Sequence, residues 1–396
     1  MSQKSSAGSA YLQSDEAVSS FLSGLGRVSR LGLDTEGASF HRFVDRIYLI
    51  QLSTDRQHAI IDPLAIAAPA GLGALLEDPA VEVVFHDADY DLRLLRQDYG
   101  WQARNVFDTR VAAQLLGITA FGLAALLERY FGVKLDKKHQ RADWSMRPLT
   151  AGMLEYAAQD TLHLLDLRDR LADELRRRER WAWAAEEFAR LADVHWEPAE
   201  PEGAFLRIKG ARDLTRRELA LLRELVQWRD ALARTLDKST FRVAGNEVLI
   251  EASRLAPRSR DALGTIKGMP RGIVERQGGE VLAAIERGLA VPEGDLPKFP
   301  KGKRYARDPE FDAKVGAVKA VRDAVAKRLE LDPGVLCSRD RLEAVARALP
   351  REMDAFAAIT ELRKWQVAEL GAGFIEALRP YSAVPASANQ PDQNPR

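Results

Sequence analysis

Residues 229–266 recur 93 positions further along without a gap, and that recurrence limits what the C-terminal half can fold into. Arg229-Asp230-Ala231 is matched by Arg322-Asp323-Ala324, Ala233 by Ala326 and Leu236 by Leu329. Leu249, Arg254, Pro257 and Ile266 fall on Leu342, Arg347, Pro350 and Ile359. Identities at equivalent apolar and turn positions in one register mark a tandem duplication of one small module. The spacing in both copies is helical. Thr215 and Glu218 form a capping-box pattern that starts the first copy's long helix. Asp308-Pro309 supplies N-cap and first helical residue for the second. The copies part at one turn: IKGM (Ile266–Met269) becomes ITEL (Ile359–Leu362), so Gly268 is replaced by Glu361. That turn therefore sets the two copies apart.

The N-terminal half is patterned differently. Strand signals dominate early: RLGLD (30–34), IYLIQLS (47–53), HAIID (58–62) and VEVVFHD (81–87). Helical periodicity follows in ADYDLRLLRQDYG, TRVAAQLLG, GLAALLERYFG and a long run from Met153 to about Leu191. Strands followed by interleaved helices imply an α/β domain with a mixed sheet. The expected plan is a disordered segment 1–10, an α/β domain 11–195, a linker 196–209, a helical module 210–290, a linker 291–305, a second module 306–381 and a disordered tail 382–396.

Lys+Arg and Asp+Glu both number 58, so net charge names no partner and any nucleic-acid contact must be a local basic face. The single cysteine, Cys337, excludes intramolecular disulfides and Cys-rich zinc sites, and fits a reducing compartment. Neither the first 20 residues nor the run Leu64–Leu76 has the layout of a signal peptide or a membrane span. The expectation is a soluble cytoplasmic protein with no membrane contact and no obligate protein partner.

Chemistry is concentrated in three acidic motifs. Asp34-Thr35-Glu36 ends the strand RLGLD, and residues two apart on a strand point the same way, so both acids share one face while Leu33 and Thr35 take the other. Two carboxylates on one face repel unless a cation lies between them, and hard oxygen donors suit magnesium or manganese. Tyr90-Asp91 sits where the apolar strand VEVVF gives way to a helix, so Asp91 falls in that helix's first turn. Tyr156 and Asp160 are four apart on a helix beginning near Thr150, and so stack on one face.

The order D-x-E, Y-D, Y-x-x-x-D resembles the exonuclease motifs of the DEDD superfamily in its tyrosine-bearing branch. The surrounding text, FHDADYDLRLL, NVFDTRVAAQLLG, GLAALLERYFGVKLDKKHQRADWSMRPLT and EYAAQDTLHLLDLRDRL, resembles the ribonuclease D family over about residues 15–195. The two repeats resemble the helicase-and-RNase-D C-terminal (HRDC) domains of that family. The resemblance implies a ribonuclease H-like fold followed by two all-α modules. It also implies two divalent ions held by Asp34, Glu36, Asp91 and Asp160. Tyr156 would orient the attacking water, with 5′-mononucleotides released from RNA carrying a free 3′ end. Precursors of transfer RNA are the implied substrate.

Other residues are secondary. Lys137-Lys138-His139-Gln140-Arg141-Ala142-Asp143-Trp144 mixes cations with an aromatic, which suits contact with RNA through Lys138, Arg141 and Trp144. Gly268 joins them at the first copy's turn. His86 reads as a strand-end hydrogen-bonding residue, and Asp108 as structural or as a support for the acids. Lys298, Lys301, Lys303 and Arg304, with Phe299 and Tyr305, form a basic linker. Two rivals remain open: a 3′–5′ DNA exonuclease, since metals and phosphates are common to both nucleic acids, and a non-catalytic RNA-binding scaffold. All motif residues lie between 30 and 165, so removal of 205–396 is expected to spare the chemistry.

Overall fold

The computed structural model describes residues 8–136, 138–194, 203–300 and 308–382. The expected disorder of 1–7 and of the tail beyond Ser382 falls outside these residues. So do part of the first linker, Lys137, and Lys301, Lys303, Arg304 and Tyr305 of the second.

A six-stranded mixed sheet carries the N-terminal half. Its strands are β1 (Ala10–Leu12), β2 (Arg30–Glu36), β3 (Leu49–Ser53), β4 (His58–Ile61), β5 (Glu82–Phe85) and β6 (Val106–Asp108), in the order β1-β4-β3-β2-β5-β6. The central pairs β2–β3 and β3–β4 are antiparallel, and β1–β4, β2–β5 and β5–β6 are parallel. Two strands escape the periodicity reading. β1 begins at Ala10, inside the segment expected to be disordered, and β6 lies just before the stretch TRVAAQLLG, with no strand expected there. Each spans three residues, too few for an alternation to register.

The helices of this half are α1 (Asp15–Gly24), α2 (Ala70–Glu77), α3 (Asp89–Tyr99), α4 (Thr109–Leu115), α5 (Leu123–Phe131), α6 (Ala151–Leu162), α7 (Leu164–Arg177) and α8 (Trp181–Ala192). The long run after Met153 is thus three helices. Alternation along β2 sorts its neighbours. Leu31 and Leu33 join Leu92, Leu94 and Leu95 of α3 in one buried cluster. Gly32 lies on the opposite face, where a Cβ would sit 3.3 Å from that of Leu164, so α6 and α7 approach the sheet closely there.

The repeat is reproduced element by element. The first module is α9 (Arg216–Leu236), α10 (Thr240–Val243), α11 (Asn246–Leu255), α12 (Arg260–Gly264) and α13 (Arg271–Ala290). The second is α14 (Pro309–Leu329), α15 (Pro333–Leu336), α16 (Arg339–Ala348), α17 (Met353–Ala357) and α18 (Lys364–Leu378). Both sequence-read caps form: the Thr215/Glu218 box on α9 and Asp308 on α14. Helix ends repeat even where residues differ, since Asp237 and Ala256 take positive φ, as do Glu330 and Leu349.

The modules dock differently. Leu331, Leu336, Phe356, Trp365 and Phe374 of the second share one apolar cluster with Val84, Phe107, Leu171 and Phe188 of the α/β half. Trp183 stacks on Trp365 at 4.8 Å, and Glu186 accepts from the backbone N–H groups of Lys364 and Trp365 at the start of α18. The first module keeps a separate core, reached from the α/β half by Phe43. The described linker residues belong to that module too. Phe205 and Leu296 are buried, and Phe299 packs on its core beneath the Arg212 guanidinium.

Candidate active site

Strand β2 and helix α6 build the site together. Period-two alternation puts Asp34 and Glu36 on the face covered by α6. Asp160 comes from α6, whose start is fixed by the Thr150 side chain accepting from the Met153 N–H. Ligand oxygens of Asp34, Glu36 and Asp160 lie within 4.8 Å of one another. Among the described residues, no lysine or arginine pairs with them.

Burial and mutual repulsion dominate their electrostatics. Asp34 is raised well above the carboxylate range by burial and then by Asp160. Glu36 is raised by burial and then by Asp34, Asp160 and Asp91. Asp160 is pushed up to about 7 by burial and the charge on Asp91. Hard carboxylate oxygens gathered this closely, each resisting ionisation for want of a counter-charge, fit a divalent cation.

Asp91 is delivered by different means. Thr35 points to the α3 side of β2, opposite Asp34 and Glu36. Its backbone N–H and its hydroxyl both donate to Asp91 Oδ1, at 3.0 and 2.5 Å. Asp91 is buried and outside the closest triad of carboxylates, though its charge bears on Glu36 and Asp160. Thr35 is thus a positioning residue that the sequence reading assigned only to the far face. Asp108 proves structural. It caps α4 and accepts from the Asp87 and Ala88 N–H groups, locking the turn that leads into α3. His86 behaves as read: its Nδ1 lies 2.9 Å from Thr109 Oγ1, and burial lowers its pKa to about 4.

Tyr156 lies one turn before Asp160, and both line a cleft of about 480 Å³ with Asp34. Burial first, then the carboxylates of Asp160, Glu36 and Asp34, raise the Tyr156 pKa and keep the phenol protonated. Arg110, Phe121 and Gln140 line the far wall, and the Arg110 guanidinium lies over Phe121 and pairs with Asp87. Nothing in the sequence pattern singled out Arg110 or Phe121. Gln51, directly opposite Asp34 on β3, is fully buried, and neither atom of its amide has a partner among the described residues.

The secondary assignments fare unevenly. Lys138 and Arg141 are exposed near the cleft, and the Arg141 carbonyl lies 3.1 Å from His41 Nε2. Trp144 is a correction. Only 2% exposed, it packs with Ala38, Met153 and Ala157 and backs the Tyr156 ring at 6.1 Å, leaving no face for a base. Gly268 is exposed with φ +86°, so the backbone itself demands glycine there; Glu361 in the second module is not among the positive-φ residues.

Comparison with known proteins fits this geometry. Residues 10–176 match the model of a 3′–5′ exonuclease family, and residues 218–285 and 313–378 match the HRDC domain. Ribonuclease D of Gluconacetobacter diazotrophicus is 33% identical over 80% of this chain and 80% of its own length. The chain belongs to the ribonuclease D family. Its fold class and its activity, 3′–5′ exoribonuclease, follow from that membership and agree with the acidic site. Ribonuclease D of Escherichia coli K12 is 32% identical over 72% of this chain and 76% of its own length. The crystal structure of Escherichia coli RNase D superposes with a TM-score of 0.73 at 27% identity, covering 94% of this chain and 99% of that one. Among the described residues no helix is long and apolar enough to cross a membrane.

Proposed function

We propose that Asp34, Glu36, Asp91 and Asp160 hold two divalent ions, magnesium or manganese, and that the site removes 5′-mononucleotides from the 3′ ends of transfer RNA precursors and other small structured RNAs. The convergence of Asp34, Glu36 and Asp160 oxygens within 4.8 Å carries this reading. When bound, such ions stabilise charge on the attacking and leaving oxygens of phosphodiester hydrolysis. The chain's own residues do the rest. Thr35 holds the Asp91 carboxylate in one orientation. The Tyr156 hydroxyl, kept protonated beside Asp160, orients the attacking water. Trp144, packed behind Tyr156, fixes the ring's position.

Two findings support RNA over DNA. The nuclease is followed by paired HRDC domains, and the Escherichia coli relative is described as an exoribonuclease involved in structured RNA processing. A single-turnover assay on 3′-labelled RNA and DNA of one sequence, with and without manganese, tests the proposal. Manganese-dependent release of 5′-mononucleotides, faster from RNA, is expected. Equal or faster release from DNA would overturn the substrate assignment, and cutting of a circular RNA would overturn the exonucleolytic one.

A further inference from the structure

Two exposed phenylalanines meet where the nuclease touches the first HRDC module. Phe40 is 46% exposed and Phe241 48%, and their rings lie 4.9 Å apart. Large apolar rings left half in water at a domain junction are unusual unless something covers them. The Arg242 guanidinium lies 5.3 Å above the Phe40 ring, and the His41 ring abuts its edge at 5.4 Å. Arg141 follows, joined to His41 through its carbonyl and exposed to solvent. The ring pair thus carries one guanidinium, that of Arg242, against Phe40, and the exposed Arg141 stands in the segment that contacts His41.

Its position is set by the chain. Phe40 follows Glu36 by four residues, so it lies within about 14 Å of the acid cluster's backbone. Phe241 is held there by Ser239, whose hydroxyl donates to the Phe40 carbonyl at 3.0 Å, and by Asp237 beside Arg42. The duplicated module provides an internal control. At the equivalent turn, Phe241 and Arg242 are replaced by Gly334 and Val335, and Lys238 by Leu331. That second turn packs against the nuclease, where Leu331 is buried in the shared core and Val335 is half-buried against it. The same corner of the module therefore docks through apolar residues in one copy and presents rings and cations in the other.

We propose that Phe40 and Phe241, rimmed by Arg242 and Arg141, form a stacking platform for unpaired bases of the RNA strand a few nucleotides back from the 3′ end. This rests on the nuclease reading above. Every base has a π-face, so such a platform grips single-stranded RNA without reading its sequence, and the guanidiniums neutralise adjoining phosphates.

The test uses the full chain in EDTA, so that RNA binds uncut, and short RNAs carrying 2-aminopurine either at the 3′ terminus or two to three nucleotides inward. Stacking quenches the inward probe. Phe40→Ala and Phe241→Ala are each expected to abolish that quench and weaken binding roughly tenfold, as loss of a stacked base does. Phe40→Trp should restore both. The terminal probe reports separately on entry into the nuclease site. Leu255→Ala, which removes an exposed side chain elsewhere on the module, should change nothing. Unaltered inward quenching in both alanine variants would overturn the platform. So would an equal loss in Asp237→Asn, which loosens docking but keeps the rings, because the pair would then be a domain clamp. Failure of the nuclease reading would instead appear as RNA that remains uncut when metal is restored.

Discussion

The two HRDC modules descend from one sequence, yet they stand in different relations to the nuclease. The second is continuous with its core: Trp365 stacks on Trp183, Arg363 pairs with Glu187, and the apolar cluster runs through both units without a boundary. The first keeps its own core and meets the nuclease through Phe40, Arg42, Asp237 and Ser239, beside the loop that follows the acidic strand. Duplication preserved the helices and their left-handed ends, while the turn after each long helix diverged. Apolar residues there made one copy a structural part of the catalytic half, and aromatic and cationic residues made the other a surface beside the active site.

Cutting the chain after residue 300 breaks this contrast most severely. It strips the shared core from Phe107, Trp183 and Phe188, so the remainder is expected to lose solubility and cooperative unfolding, measured by yield and thermal melting. A soluble, active 1–300 fragment would show that the modules are equivalent appendages. The sequence alone led to the opposite expectation, that removal of 205–396 spares the chemistry.

Substitution makes the same point in graded form. Trp365→Ala should lower stability by about 3–5 kcal/mol, the usual cost of emptying a large aromatic site. Phe241→Ala, at an exposed site, should cost less than about 0.5 kcal/mol. Chemical denaturation of both variants checks the ratio; equal losses would erase the distinction. Tyr156→Phe separates chemistry from both modules. It should reduce kcat by about 10²–10⁴ with an unchanged melting temperature, and near-normal turnover would make Tyr156 a packing residue. The smallest effect is electrostatic. Lys267, exposed in the first module's Gly268 turn, aligns with Thr360 in the second. Lys267→Ala should reduce the salt slope of RNA affinity by about one unit, and Thr360→Ala should not alter it.

What was legible in the sequence follows from periodicity. Asp34 and Glu36 are two apart on a strand, and Tyr156 and Asp160 four apart on a helix, so each pair shares a face before any packing is known. The repeat was legible because helix ends and core positions kept one register. Trp144 was misread because a cationic loop containing tryptophan has the same composition whether the ring faces water or the Tyr156 wall. β1 and β6 were too short to show a period. Thr35 was assigned to the far face of β2, but its bond to Asp91 depends on where α3 crosses. The docking of the second module was invisible because the repeat's identities describe its interior. The buried replacement at the turn is Leu331, standing where the first copy has Lys238.

Hydrolysis of a 5′-labelled RNA with a free 3′-hydroxyl, followed with EDTA and then with excess magnesium or manganese, tests the acid cluster most directly. No cleavage is expected in chelator, a ladder shortening one nucleotide at a time is expected once metal is restored, and Asp34→Asn should give no ladder under either condition, although that variant still folds. Full activity in excess EDTA, or an unimpaired Asp34→Asn ladder, would contradict this expectation.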